Sequence, residues 1–140
     1  MVERWCAATS DGFTFYGKLA QLFSFHSTAA KLLPPDLQSR VETDAKGKVK
    51  PTRDVQDALL KFFLRAAAIF RSAGKMGVLL LQLSPAFSPR KHEWKELNPL
   101  IEMRNGYKRA IEFRNRKRAN GNHPQQTQDL VRRHDASFVN

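Results

Sequence analysis

The feature that most constrains this chain is a long helix pattern running directly into a short apolar strand pattern. Across residues 53–73, Val55, Leu59, Phe62, Phe63, Ala66, Ile69, Phe70 and Ala73 recur at intervals of three and four, the period of one helix face. Thr52 suits the N-cap and Gly74 the C-terminal stop. The run Val78-Leu79-Leu80-Leu81-Gln82-Leu83 follows at once, bounded by Gly77 and Pro85. A continuous apolar run of this length predicts a strand covered on both faces, as in a parallel sheet. A helix feeding such a strand is the crossover unit of an α/β fold.

The rest of the chain repeats this alternation. Residues 1–10 read as the last turns of a helix, and Ser10-Asp11-Gly12 as a turn. Phe13-Thr14-Phe15-Tyr16-Gly17 reads as a strand, with Lys18 after it. Residues 19–33 carry apolar side chains without clean period and predict a loop with helical turns. Pro34-Pro35-Asp36 opens a short helix. Residues 42–51 predict an exposed connection or a small hairpin. Residues 90–104 look helical but are interrupted at Asn98-Pro99. Lys108 to Arg114 is a further strand, residues 115–122 a basic loop, Pro124 to His134 a helix, and Ala136 to Val139 a last strand. The order is β, α, β, α, β, α, β. The expected fold class is α/β, with about four mainly parallel strands and flanking helices in one domain over residues 1–140.

Composition narrows the class further. The chain has 140 residues, 41% of them hydrophobic, which is too apolar for a wholly disordered chain. A complete (β/α)8 barrel needs about 250 residues, and the chain is too short for one. No apolar stretch approaches a membrane span, and the first residues lack a signal-peptide core. The expectation is a cytoplasmic chain with no membrane contact. One cysteine, Cys6, excludes an intrachain disulfide and a cysteine-based zinc site. The formal net charge of +11 allows electrostatic contact with anionic partners. No cofactor, metal site, phosphate-cradling loop or Ser/His/Asp set is expected.

Four ordered segments resemble the family called domain of unknown function 72, the YecE-like proteins. They are Trp5 with Phe13-Thr14-Phe15-Tyr16-Gly17-Lys18 and His26; Leu33-Pro34-Pro35-Asp36-Leu37; Gly74 through Phe87; and Ala110-Ile111-Glu112-Phe113-Arg114. The resemblance implies an incomplete barrel of the (β/α)8 type, here a truncated unit covering the middle of the family's domain. The family usually continues Glu-Phe-Arg with histidine and then, three residues on, tryptophan. Asn115 and Arg118 stand at those positions, so activity that depends on the missing pair is not expected. Independent catalysis is expected to be absent more readily than present, as in a fragment of a longer barrel.

Active-site residues of a parallel barrel sit at the C-terminal ends of strands. Lys18, Gln82, Glu112 and Arg114 fall at or near such ends. Glu112 and Lys18 are the candidate catalytic groups, and Arg114, Gln82 and His26 the candidate ligand-binding groups. Lysine, arginine and glutamine suit an anionic ligand of the phosphate or sugar-phosphate type. Glu112 and Arg114 are two apart and share a strand face. Each of these residues also has a plain structural explanation, as a solvated strand end or an internal charge pair. The alternative function is a basic nucleic-acid-binding module built on the 108–118 stripe, with Arg116, Lys117 and Arg118 as its contacts. Open sheet edges add an expectation of self-association.

Overall fold

The computed structural model describes residues 1–24, 28–88, 90–98, 101, 106–115 and 123–139. The chain divides into two compact units. The first comprises residues 1–15 and 26–76, the second residues 16–25 and 77–140.

The first unit is helical. Helix α1 spans Val2–Ala8, α2 spans Pro35–Gln38 and α3 spans Arg53–Ser72. Thr52 caps α3, its side chain accepting from the Val55 amide. The other end closes on Gly74, which holds φ at +69°. The Lys75 amide donates to Phe70 and the Gly74 amide to Arg71, the paired bonds of a Schellman motif. Leu59, Leu60 and Ala67 are the buried residues of α3. Both α1 and α2 pack on α3. A file of rings joins the ends of this unit. Trp5 stacks on Phe70, Phe70 on Phe15, and Phe15 meets Phe13 edge-on at 4.8 Å.

Residues 42–51 form a small hairpin. Thr43 bridges Val49 in antiparallel fashion. One carboxylate oxygen of Asp44 accepts from the amides of Lys46 and Lys48, and Gly47 takes the left-handed conformation that the turn requires. Most of the hairpin is exposed, while Val49 is buried.

The second unit is built on the sheet. Strands β1 (Phe15–Lys18), β2 (Met76–Gln82), β3 (Lys108–Glu112) and β4 (Ala136–Val139) lie in the order β1-β2-β3-β4. The first residues of β1 and β2, Phe15 and Met76, belong to the first unit. Pairing is parallel from β2 to β4, with Leu80 opposite Ala110 and Ala110 opposite Ser137. The Phe15 amide donates to Lys75 and the Leu19 amide to Leu80, so β1 advances in the same sense as β2. The sheet is open, with β1 and β4 as its outer strands. Helix α4 (His123–Arg133) precedes β4 and contributes buried Leu130. This is an α/β fold, as the alternation of patterns predicts.

Three local differences from the sequence reading have physical causes. Strand β1 starts at Phe15 rather than Phe13, because the Phe13 amide is used in a turn to the Ser10 carbonyl. Within 90–104 the helical structure begins as a 3-10 turn at Trp94–Leu97, and Asn98 and Ile101 are α-helical. Glu93 remains extended as its N-cap, and Glu96 reaches back to the Glu93 amide over 2.6 Å, which fixes the start of the turn at Trp94. The β2 run is covered fully on one face only. Leu79, Leu81 and Leu83 are buried to 1% or less, whereas Val78, Leu80 and Gln82 are only half-buried. Side chains alternate across a strand, so the second set belongs to the face that carries Tyr16, which is 73% exposed.

Candidate functional site at the strand ends

Three neighbouring strands end on polar residues. Lys18 is the last residue of β1, Gln82 of β2 and Glu112 of β3. Gln82 and Glu112 are directly opposite in the parallel register. Their side chains therefore leave the same face at the same level. The Lys18 ammonium donates to Gln82 Oε1 over 2.6 Å. Gln82 Nε2 donates to Glu112 Oε2, also over 2.6 Å. The other carboxylate oxygen, Oε1, pairs with Arg114 Nε at 3.2 Å. The result is one continuous row, Lys18–Gln82–Glu112–Arg114.

The row grades from covered to open. Glu112 is 21% exposed and Arg114 50% exposed, and Lys18 is exposed. Two cations flank one anion, so the row carries a net positive charge. Lys18 keeps donors beyond the one it gives Gln82. Arg114 uses Nε on Glu112 and retains its terminal fork, the part of a guanidinium suited to two anionic oxygens. Residues from three strands, the farthest pair 64 apart in sequence for a single bond, are brought together by the register of the sheet.

Of the sequence-predicted site residues, Lys18, Gln82, Glu112 and Arg114 stand together in this row. His26 lies outside the described residues, as do Arg116, Lys117 and Arg118. The described part of the 108–118 stripe does not form one basic surface. Lys108 is exposed, but Arg109 points to the other face of β3 and donates to the Ile101 carbonyl over 3.1 Å. Arg114 is committed in part to Glu112. Strand alternation divides the charges that the linear sequence sets side by side.

Two neighbours were not among the predicted residues. Tyr16 precedes Lys18 by two positions on the same face. Its place in the strand pattern was readable, but its exposure was not. Asn115 Nδ2 donates to the Pro85 carbonyl, tying the segment after β3 to the segment after β2. Beside these, Phe87, His92, Trp94 and Phe113 form an aromatic group, with Phe87 against His92 at 5.0 Å and Trp94 against Phe113 at 5.0 Å. Among the described residues, no group of three His, Cys, Asp or Glu side chains is placed to hold a metal ion. Nor is any described helix long and apolar enough to cross a membrane.

No curated protein sequence matches the chain. Two crystal structures of a DUF72 family protein from Enterococcus faecalis V583 resemble it in fold. Their TM-scores are 0.71 and 0.72, each at 20% sequence identity and over 99% of this chain. The chain covers 47% and 43% of those two structures' chains, less than half their length. The family model described as protein of unknown function DUF72 matches residues 1–140. The chain belongs to the DUF72 family.

Proposed function

We propose that the chain is part of a (β/α) barrel and binds a small anionic ligand at the C-terminal ends of its strands. The ligand class is phosphate or sugar phosphate. The observation that carries this reading is the row itself. Three consecutive strands end in side chains hydrogen-bonded to one another, with cations at both ends and open donors on each. Strand C-terminal ends are where parallel barrels assemble their sites. The open parallel sheet supports the barrel reading, since four strands with flanking helices make about half of the eight-stranded closure. Lys18 and Arg114 take the ligand's oxygens, while Gln82 and Glu112 hold them in place. The reading is one of binding, with no independent catalysis.

The test is titration of inorganic phosphate, followed by NMR, into the protein and into Lys18→Met, Arg114→Met and the double variant. Saturable shifts at the ends of β1 and β3 are expected, weakened at least severalfold in each single variant and abolished in the double one. Equal affinity in the wild type and the double variant, or no saturable shift in the wild type, would overturn the reading.

A further inference from the structure

We infer that Gln82 is a positioning residue whose amide is locked by two charges, so that Glu112 sets the position of Lys18 without touching it. The inference rests on the anion-binding reading above and assigns the division of labour within that site.

A glutamine side chain has one carbonyl and one NH2 end, and it can face its neighbours in two ways. Here the neighbours decide. Lys18 is a donor only, and the ionised Glu112 is an acceptor only. Gln82 Oε1 meets the ammonium at 2.6 Å, and Nε2 meets the carboxylate at 2.6 Å. Turning the amide over would set NH2 against the ammonium and the carbonyl oxygen against the carboxylate, two repulsive contacts at once. The amide therefore has one orientation, and its dipole is aligned with both charges. Arg114 holds the second oxygen of Glu112, which stops the carboxylate from turning away. With one oxygen on Gln82 and the other on Arg114, Glu112 is held as an anchor.

The arrangement makes a prediction of unusual sign. Glu112 is a negative charge near an anion site. Removing it should strengthen phosphate binding on simple electrostatic grounds. If Gln82 transmits position, the opposite holds: Glu112→Gln takes away the charge that anchors the Nε2 end of the amide, Lys18 loses its fixed place, and phosphate binds more weakly. In a Gln82→Met background the link is already cut, and Glu112→Gln should then show the electrostatic sign.

The experiment is a double-mutant cycle in inorganic phosphate affinity over wild type, Glu112→Gln, Gln82→Met and the pair, with thermal melts to confirm folding. A threefold or greater weakening in Glu112→Gln, reversed to no change or tightening when position 82 is methionine, is expected. Tightening in both backgrounds would overturn the inference. A second readout needs no phosphate. Solvent exchange of the Gln82 Nε2 protons should be slow in the wild type and at least severalfold faster in Glu112→Gln. Equal exchange rates would overturn the locked amide even if phosphate binds. Slow exchange in a protein that ignores phosphate would leave the lock standing and remove the anion-binding reading instead.

Discussion

The ammonium of Lys75 lies 2.7 Å from the backbone carbonyl of Cys6, across 69 residues of sequence. The same nitrogen donates to the Thr9 carbonyl at 2.7 Å and to the Thr9 hydroxyl at 3.1 Å. These are the carbonyls that the last turn of α1 and the residue after it leave without intrahelical partners. A cation there also opposes the negative end of the helix dipole. Lys75 is 7% exposed, so water does not stand ready to replace it.

Lys75→Met removes all three bonds and takes the ammonium donor from the Thr9 carbonyl, while the Cys6 carbonyl keeps the Thr9 hydroxyl. A net loss of about 2 kcal/mol is expected, the range for a hydrogen bond to a charged group reduced by the relief of burying that charge. A urea melt that shows less than a quarter of this loss would mean that α1 is held by its rings alone. Loss of far-UV helical signal should accompany the fall in midpoint.

Gly74, one residue earlier, is needed for a different reason. Its φ of +69° is a conformation that side chains with a Cβ rarely adopt, yet a Cβ built there meets nothing within 4 Å. The cost of Gly74→Ala is therefore conformational, about 1 kcal/mol. Gly74→Asn should cost less, because asparagine tolerates the left-handed region. Denaturant midpoints for the two variants, at unchanged slope, measure the difference. Equal losses would indicate that crowding governs the site.

The strand-end row should contribute little to stability, which separates its function from its folding. Lys18 is exposed, and exposed pairs contribute about 0–1 kcal/mol. Lys18→Met is expected to leave the melting midpoint nearly unchanged. Glu112→Leu should cost more, about 1–2 kcal/mol, since it strips the partner from the half-buried Gln82 amide. Thermal melts of the two variants side by side test this order. A larger loss from Lys18→Met than from Glu112→Leu would contradict it.

How much of this was written locally can be judged residue by residue. Helix α3 was legible because its apolar spacing, Thr52 and Gly74 all lie within one window. The four residues of the row were legible as candidates because each stands where its own strand pattern ends. Their connection was not legible. It depends on Gln82 falling opposite Glu112, and register is a non-local property. Lys75 was hidden for the same reason. In sequence it belongs to a helix-to-strand turn, and its partners are at residues 6 and 9. The half-covered state of β2 was also invisible, because a run such as Val78 to Leu81 does not record what packs on each side of it.

That half-covered face gives the last prediction. Tyr16 is 73% exposed and Val139 40% exposed. Val139 stands opposite Glu112 in the register and at the outer strand of an open sheet. Among the described residues no strand pairs with the outer side of β4, and such an edge offers backbone donors and acceptors to another chain. The purified chain is expected to associate, with an average mass by light scattering that rises with concentration. Val139→Lys should shift the protein towards monomer, because a charge on an edge strand disfavours pairing. A wild type that stays monomeric over two decades of concentration would show that neither the edge nor the face is adhesive. A wild type that associates equally with Val139→Lys would place the contact away from β4. Association that is reversible and weakened by the lysine would identify the outer edge of the sheet as the contact, and phosphate titrations should then be compared above and below the concentration at which it forms.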